Sequence, residues 1–216
     1  MTRRVEGKVR APLTSDPAPT DPGPAGVRGS ARLPGVELPR ARALASGWPV
    51  LAAAAIGILF VLHAIHLEVV VDDAYISFQF ARNLNAGHGL VWNIGEPPVE
   101  GYSNFLWVIL LAAGERLGFD HAATGLVLGL AAGLGTLGYV FAFARRFCPD
   151  SRWNWYLLAW LAAAGPLASW SSARLETALF TLFLIGGLYH LGSFARRGAS
   201  RDLLVSCAHF LLASLT

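Results

Sequence analysis

Two consecutive carboxylates, Asp72 and Asp73, follow directly on a long apolar run and open the polar stretch VVVDDAYISFQFARNLNAGHGLVWNIGEPPVEGYSNFLW. Their type suits two tasks, general-base proton removal and metal ligation. Beyond them Ile76, Phe80 and Leu84 recur at helical spacing, with Gln79, Arg82 and Asn83 on another side. That spacing predicts a short amphipathic helix ended by Asn85 and Gly87. The aspartates then stand at a helix N-terminus, where the backbone dipole favours negative charge. Capping is the competing role, because Asp is a common N-cap. A cap needs one carboxylate, however, and two are present.

A second group of candidates lies further along. Gly87-His88-Gly89 and Gly95-Glu96-Pro97-Pro98 are turn sequences, with His88 read as a solvated turn residue. Glu100-Gly101-Tyr102-Ser103-Asn104 precedes a short apolar segment; Ser103 or Asn104 suits its cap, and Glu100 is expected to face the same cleft as the aspartates. Arg174 and Glu176 interrupt an otherwise charge-free stretch from Trp153 to Ala195. Ionisable groups inside an apolar stretch default to functional candidates, against the plainer reading of an interfacial turn with a snorkelling arginine. His63 and His66 lie three apart on adjoining turns, where packing is favoured over metal ligation. His190 and His209 read as core residues and His121 as the edge of a span.

Composition sets what positions these residues. Hydrophobic residues make up 54% of the 216 and charged residues 14%, with mean hydropathy +0.48; soluble domains carry about 25% charge. An all-α integral membrane protein follows, a polytopic transmembrane helix bundle. Its spans are expected at about 47–67, 121–144, 153–173, 177–195 and 203–216, the last too short for the roughly 20 residues a crossing takes. Residues 1–46, rich in Pro, Ala, Gly and Arg without apolar periodicity, read as a disordered cytoplasmic tail. The net charge of +3 includes a single lysine, Lys8, and no basic helix with interleaved aromatics, so nucleic acid is excluded as a partner. Cys148 and Cys207 have neither metal-site nor disulfide-framework spacing.

Arginine placement orients the bundle. The tail, Arg145/Arg146/Arg152 and Arg196/Arg197/Arg201 all fall on one side if the spans alternate, which makes that side cytoplasmic. The loop 68–120, carrying seven acidic residues against Arg82 and Arg116, is then outside. The apolar run 101–114 is read as an interfacial helix on that outer face, because counting it as a span would invert the arginines. Gly125, Gly129 and Gly133, four apart, predict close helix packing within the bundle.

Three segments resemble a known family. Asp72-Asp73-Ala74-Tyr75-Ile76-Ser77-Phe78, Ala81-Arg82-Asn83-Leu84, Gly87-His88-Gly89-Leu90-Val91-Trp92-Asn93 and Glu100-Gly101-Tyr102-Ser103-Asn104-Phe105-Leu106-Trp107 look like the first periplasmic loop of bacterial GT-C type polytopic glycosyltransferases, nearest to arabinofuranosyltransferase-like members. Ser171-Ser172 and Arg174-Leu175-Glu176-Thr177-Ala178-Leu179-Phe180 are similar to the family's Gly-Leu-Glu-Thr-Pro-Leu-Phe, with Arg174 in place of glycine and Ala178 in place of proline. Leu211–Thr216 resembles a stretch that in the family runs on into Arg-Pro-Glu-Gly, so residues 50–216 are expected to be the N-terminal portion of a family member.

The resemblance implies a transferase of the cell envelope. It would move a hexosyl or pentosyl group from a polyprenyl-phosphate sugar to a glycan or lipid acceptor, on the extracytoplasmic face of the inner membrane. It makes Asp72 or Asp73 the catalytic base or a ligand for a divalent metal, whose requirement stays open. Arg82, Glu100, Tyr102, Arg174 and Glu176 become substrate-binding candidates, Arg82 or Arg174 for the phosphate. By residue type Trp92, Trp107, Trp153 and Trp170 fit interfacial belts, with sugar stacking by Trp92 or Trp107 an alternative that spacing does not support. The competing class is a non-catalytic membrane protein, a transporter half or an envelope assembly factor, or an inactive piece of the enzyme. Transporters place polar groups at mid-membrane in broken helices, whereas the polar groups of this chain concentrate in an outer loop.

Overall fold

A computed structural model describes residues 48–99, 101–149 and 152–216. The stretch 1–46 and Glu100 lie outside the described residues, so the expectations placed on them stay with the sequence. The described residues form eight helices and no strand: α1 Trp48–His66, α2 Asp72–Asn85, α3 Phe105–Arg116, α4 His121–Phe147, α5 Trp153–Ala162, α6 Gly165–Ser172, α7 Thr177–Arg197 and α8 Ser200–Ser214. Three of them, α1, α4 and α7, are long and apolar enough to cross a membrane. Helix α1 leaves Val50, Leu51, Ile58, Leu59 and Leu62 exposed, so its apolar side chains are not confined to one buried stripe. Helix α3 has 12 residues, about 18 Å of rise, which is short of the hydrocarbon thickness.

The run 153–173, expected as one span, is two helices in series. Pro166 marks the break: proline has no N–H to give the carbonyl four residues back, Ala162, and it stands in the first turn of α6, behind Ala164 in extended backbone. The freed carbonyl finds a donor on another helix, because Nδ1 of His63 in α1 stands 3.4 Å from the Ala162 oxygen. An orphan carbonyl in hydrocarbon costs several kcal/mol, so His63 acts as the structural partner of a broken helix. Together α5 and α6 still run the length of α4. Asn154 Nδ2 donates to the Cys148 carbonyl at 2.8 Å, beyond the C-terminal end of α4. A Cβ on Gly125, near the other end, would lie 3.2 Å from Arg174 Cβ. Between these points Gly129 and Gly133 face Ser171, and a Cβ on Gly129 would collide with the Ser171 carbonyl oxygen. The glycine stripe thus seats α6 against α4.

Helix α7 runs parallel to α4, with Arg146 Nη1 3.4 Å from the Tyr189 hydroxyl. Helix α8 turns back at Gly198, whose φ of +67° closes α7 in the left-handed conformation that favours glycine. It returns far enough for the Leu106 N–H, an orphan donor in the first turn of α3, to reach the Leu215 carbonyl at 2.7 Å. The bundle therefore has two chemically distinct ends. Arg145, Arg146, Arg152, Arg196, Arg197 and Arg201 gather at one, and α2, α3 and the turn between α6 and α7 gather at the other.

Helix α2 begins and ends where its periodicity predicts, but its buried face is different. Ile76 is 38% exposed, whereas Ser77, Phe78 and Asn83 are buried. Asn83 goes inside because its amide is satisfied there, donating to the carbonyls of Val91 and Trp92 at 2.8 and 2.9 Å. The segment 86–99 folds back over α2 through turns at Gly87 and Gly89, so α2 is covered from two sides. Its Ala74, Phe78, Phe80 and Ala81 share a core with Trp107 and Leu111 of α3 and with Leu175, Ala178 and Leu179.

Candidate functional site

Asp72 and Asp73 occupy the first turn of α2, both exposed. Neither caps the helix: the N-cap residue is Val71, and no side chain closes that end. The capping alternative is thereby removed, and neither carboxylate has a partner among the described residues. Two oxygens-bearing groups on consecutive residues can share a hard cation only with ligands supplied from elsewhere, as substrate phosphates do in many magnesium sites. Among the described residues no three His, Cys, Asp or Glu side chains converge on a metal position.

Glu176 is brought to α2 from about a hundred residues away by Asn104. Asn104 is the N-cap residue of α3 by position but makes no capping bond. Its Nδ2 donates instead to Ser77 Oγ at 2.9 Å and to Glu176 Oε2 at 2.9 Å. A carboxylate only accepts, so the amide must turn its NH2 toward both partners. Asn104 and Ser77 are buried, Asn104 at 8% exposure and Ser77 at 3%. Glu176 is half-buried and, as the N-cap residue of α7, gives no side-chain bond to its own helix. Ser77 lies one turn beyond Asp73 on the same face of α2, about 6 Å along the axis. A hydrogen-bonded line therefore runs Ser77, Asn104, Glu176, with Asp73 one turn before Ser77 and not bonded to it.

Arg174 is built into the neighbouring turn. It follows the C-cap of α6 and has φ of +62°, the only non-glycine residue with positive φ among those described. Helices commonly end there on a left-handed residue, usually glycine. The residue is 8% exposed. Its Nη1 donates to the Ser172 carbonyl at 3.2 Å and its Nη2 forms an ion pair with Glu68, on the linker between α1 and α2. Its Nε is buried with no partner.

The remaining candidates are not gathered. Arg82 is exposed in the last turn of α2, nine residues and about 13 Å of helix rise from Asp73, with Nη1 3.4 Å from Gln79 Oε1. Tyr102 is half-buried with its ring edge-on to Phe80, centroids 4.8 Å apart, which places it in the packing between α2 and α3. Trp107 is fully buried and offers no face to a sugar; Trp92 stays 38% exposed. A second network ties the far end of α2 to α3 and α4: Asn85 donates to the Ala112 carbonyl and Glu115, Arg116 donates to Asn85, and His121 stands 3.3 Å from Glu115.

Sequence reasoning missed the partners, Glu68 and the bridging role of Asn104. Glu68 was one of seven loop acids without a distinguishing pattern. Asn104 carried the signal of a cap, which is indistinguishable in sequence from a buried amide that reaches across helices. No protein-family model, curated protein or solved structure matches this chain.

Proposed function

We propose that the protein is a multi-pass enzyme of the inner membrane, with its N-terminus cytoplasmic. In this reading it transfers a sugar from a polyprenyl-phosphate donor to a glycan or lipid acceptor on the extracytoplasmic side. The observation that supports this most is the joining of two separated motif segments: Asn104 links the helix that carries Asp72 and Asp73 to Glu176. Three apolar helices of spanning length and the collection of arginines at the opposite end support the membrane placement.

In this proposal Asp72 or Asp73 takes the proton of the acceptor hydroxyl. The acceptor oxygen forms a bond to the anomeric carbon as the bond from that carbon to the phosphate oxygen breaks, and the electron pair leaves on the polyprenyl phosphate. That leaving group is stable as an anion, so no strong general acid is required; a base and a cation for the phosphate suffice. Exposure of both aspartates suits a base that must meet an acceptor arriving from outside. The break between α5 and α6 supports a transporter less well, because the cavity beside it is lined by Ile56, Leu59, Ala159, Ala162 and Ala163 with His63 as its one polar side chain.

The test is donor class. Protein purified from its full reading frame is given radiolabelled polyprenyl-phosphate pentose or hexose, or the corresponding nucleotide sugars, with a crude envelope acceptor. Transfer from the lipid phosphate and none from the nucleotide sugar is expected. Transfer from neither, or from the nucleotide sugar alone, contradicts the proposal.

A further inference from the structure

The side-on edge of the Arg174 guanidinium is half used. Nη2 meets one carboxylate oxygen of Glu68, while the adjacent Nε–H is buried without an acceptor. A buried donor left without an acceptor is destabilising, and so is left-handed backbone at a non-glycine residue. Such strain persists where the surroundings over-determine it and clusters at ligand clamps. The surroundings do so at Arg174: its Cβ packs on Gly125, and its Nη1 is tied to the Ser172 carbonyl. Glu68 is the opposite case. It sits just past the end of α1, on the non-helical linker to α2, and its side chain is 33% exposed. The cation is fixed and its anion can leave.

We propose that Arg174 is the seat of a phosphate group and that Glu68 is a removable carboxylate which holds that seat until the phosphate of a lipid-linked donor displaces it. This rests on the reading of the protein as a polyprenyl-phosphate enzyme. A phosphate presents two oxygens at the spacing of the Nε–H and Nη2–H pair, so it satisfies the edge that Glu68 fills by half. The exchange replaces one anion by another, so the buried guanidinium is never left uncompensated. Glu68 released from Arg174 remains four residues from Asp72, on the same linker that leads into α2.

The experiment is a binding titration on the purified protein in detergent, with short-chain prenyl phosphate, inorganic phosphate and prenyl alcohol as probes. Removing the competing charge raises the fraction of open seats, so Glu68→Gln should bind prenyl phosphate about five-fold or more tightly than wild type. Glu68→Asp, charged but one methylene short of Arg174, should also tighten binding, and it carries the test if the neutral variant fails to fold. Arg174→Lys, which keeps the charge but loses the two-donor edge, should bind about ten-fold or more weakly. Competition by inorganic phosphate, with no binding of the alcohol, assigns recognition to the phosphate; binding of the alcohol equal to that of the phosphate overturns the proposal. Unchanged or weaker binding in both Glu68 variants also overturns it. Because the readout is binding without turnover, the two proposals fail separately. Tightened binding in a protein that transfers no sugar leaves the seat standing and removes the enzyme; transfer activity with binding indifferent to Glu68 does the reverse.

Discussion

At the arginine end of the bundle, charged groups meet their surroundings loosely. Arg145, Arg196, Arg197 and Arg201 are exposed. Arg146 Nη1 stands 3.4 Å from the Tyr189 hydroxyl, and the Arg145 guanidinium lies 5.9 Å from the centroid of the Phe141 ring. At the opposite end Arg174 and Glu176 are buried or half-buried, and each is tied to a partner from another part of the chain. Under the proposed function the difference is one of task. Charges that orient a chain in a membrane need only remain in water on the correct side, so many residues serve and none needs a partner. Charges that are taken out of water must be paired to be tolerated, and pairing fixes their geometry. Positioned chemistry is therefore to be sought at the end where Arg174 and Glu176 are held by partners from other parts of the chain.

The largest effect expected from this contrast is all-or-none. With Cys148 and Cys207 replaced by Ser, a cysteine at the exposed His88 should label fully with a membrane-impermeant thiol reagent added to intact cells, and one at the exposed Ala199 should not label at all. Labelling of both positions from outside would break the comparison. Next, Gly129→Val should cost about 3 kcal/mol or prevent folding, because its Cβ meets the Ser171 backbone, which cannot move aside as a side chain can. Gly138 has open space around its Cβ, so Gly138→Ala in the same helix should leave the melting temperature unchanged or raised. Thermal unfolding in detergent reads both.

Asn104→Ala should come third, at about 1–3 kcal/mol, since it strands the Glu176 carboxylate and the Ser77 hydroxyl. Asn104→Asp should be worse than alanine in unfolding experiments near neutral pH, because it sets a second acceptor-only group against Glu176; a milder effect than alanine would show that the bridge does not hold Glu176. The smallest effects belong to the other end: Arg197→Ala or Arg201→Ala alone should change stability by less than about 0.5 kcal/mol, with orientation unchanged by labelling.

Much of this was legible in the residues, and the failures have identifiable causes. Helix α2 could be placed because a helix follows from local spacing, and α3 because its apolar run is bounded by polar turns. The split of 153–173 was signalled by Gly165-Pro166, but hydropathy over a window averages a single missing N–H away. The buried side of α2 was misjudged because Asn83 counts as polar until its carbonyl partners in 86–99 are known. Trp107 was assigned to an interface by residue type, although the short helix that carries it is covered by α2. The candidate carboxylates Asp72, Asp73 and Glu176 stood out by charge in apolar surroundings. Their organiser did not, since no local pattern distinguishes an asparagine that caps from one that bridges.

The central claim is that Asp72 and Asp73 at the carboxylate end act chemically. It is tested most directly by measuring sugar transfer from a polyprenyl-phosphate donor with Asp72→Asn and Asp73→Asn, each purified from the full reading frame at matched protein level. Asparagine is nearly the same size and keeps hydrogen-bonding capacity while losing the charge. Neither aspartate caps α2 or bonds a described neighbour, so membrane insertion should be unchanged and the melting temperature should fall by no more than the small loss of the charge's interaction with the helix dipole. At least one variant should lose transfer by about two to four powers of ten, the range associated with loss of a general base. Near-wild-type rates in both variants would contradict the assignment.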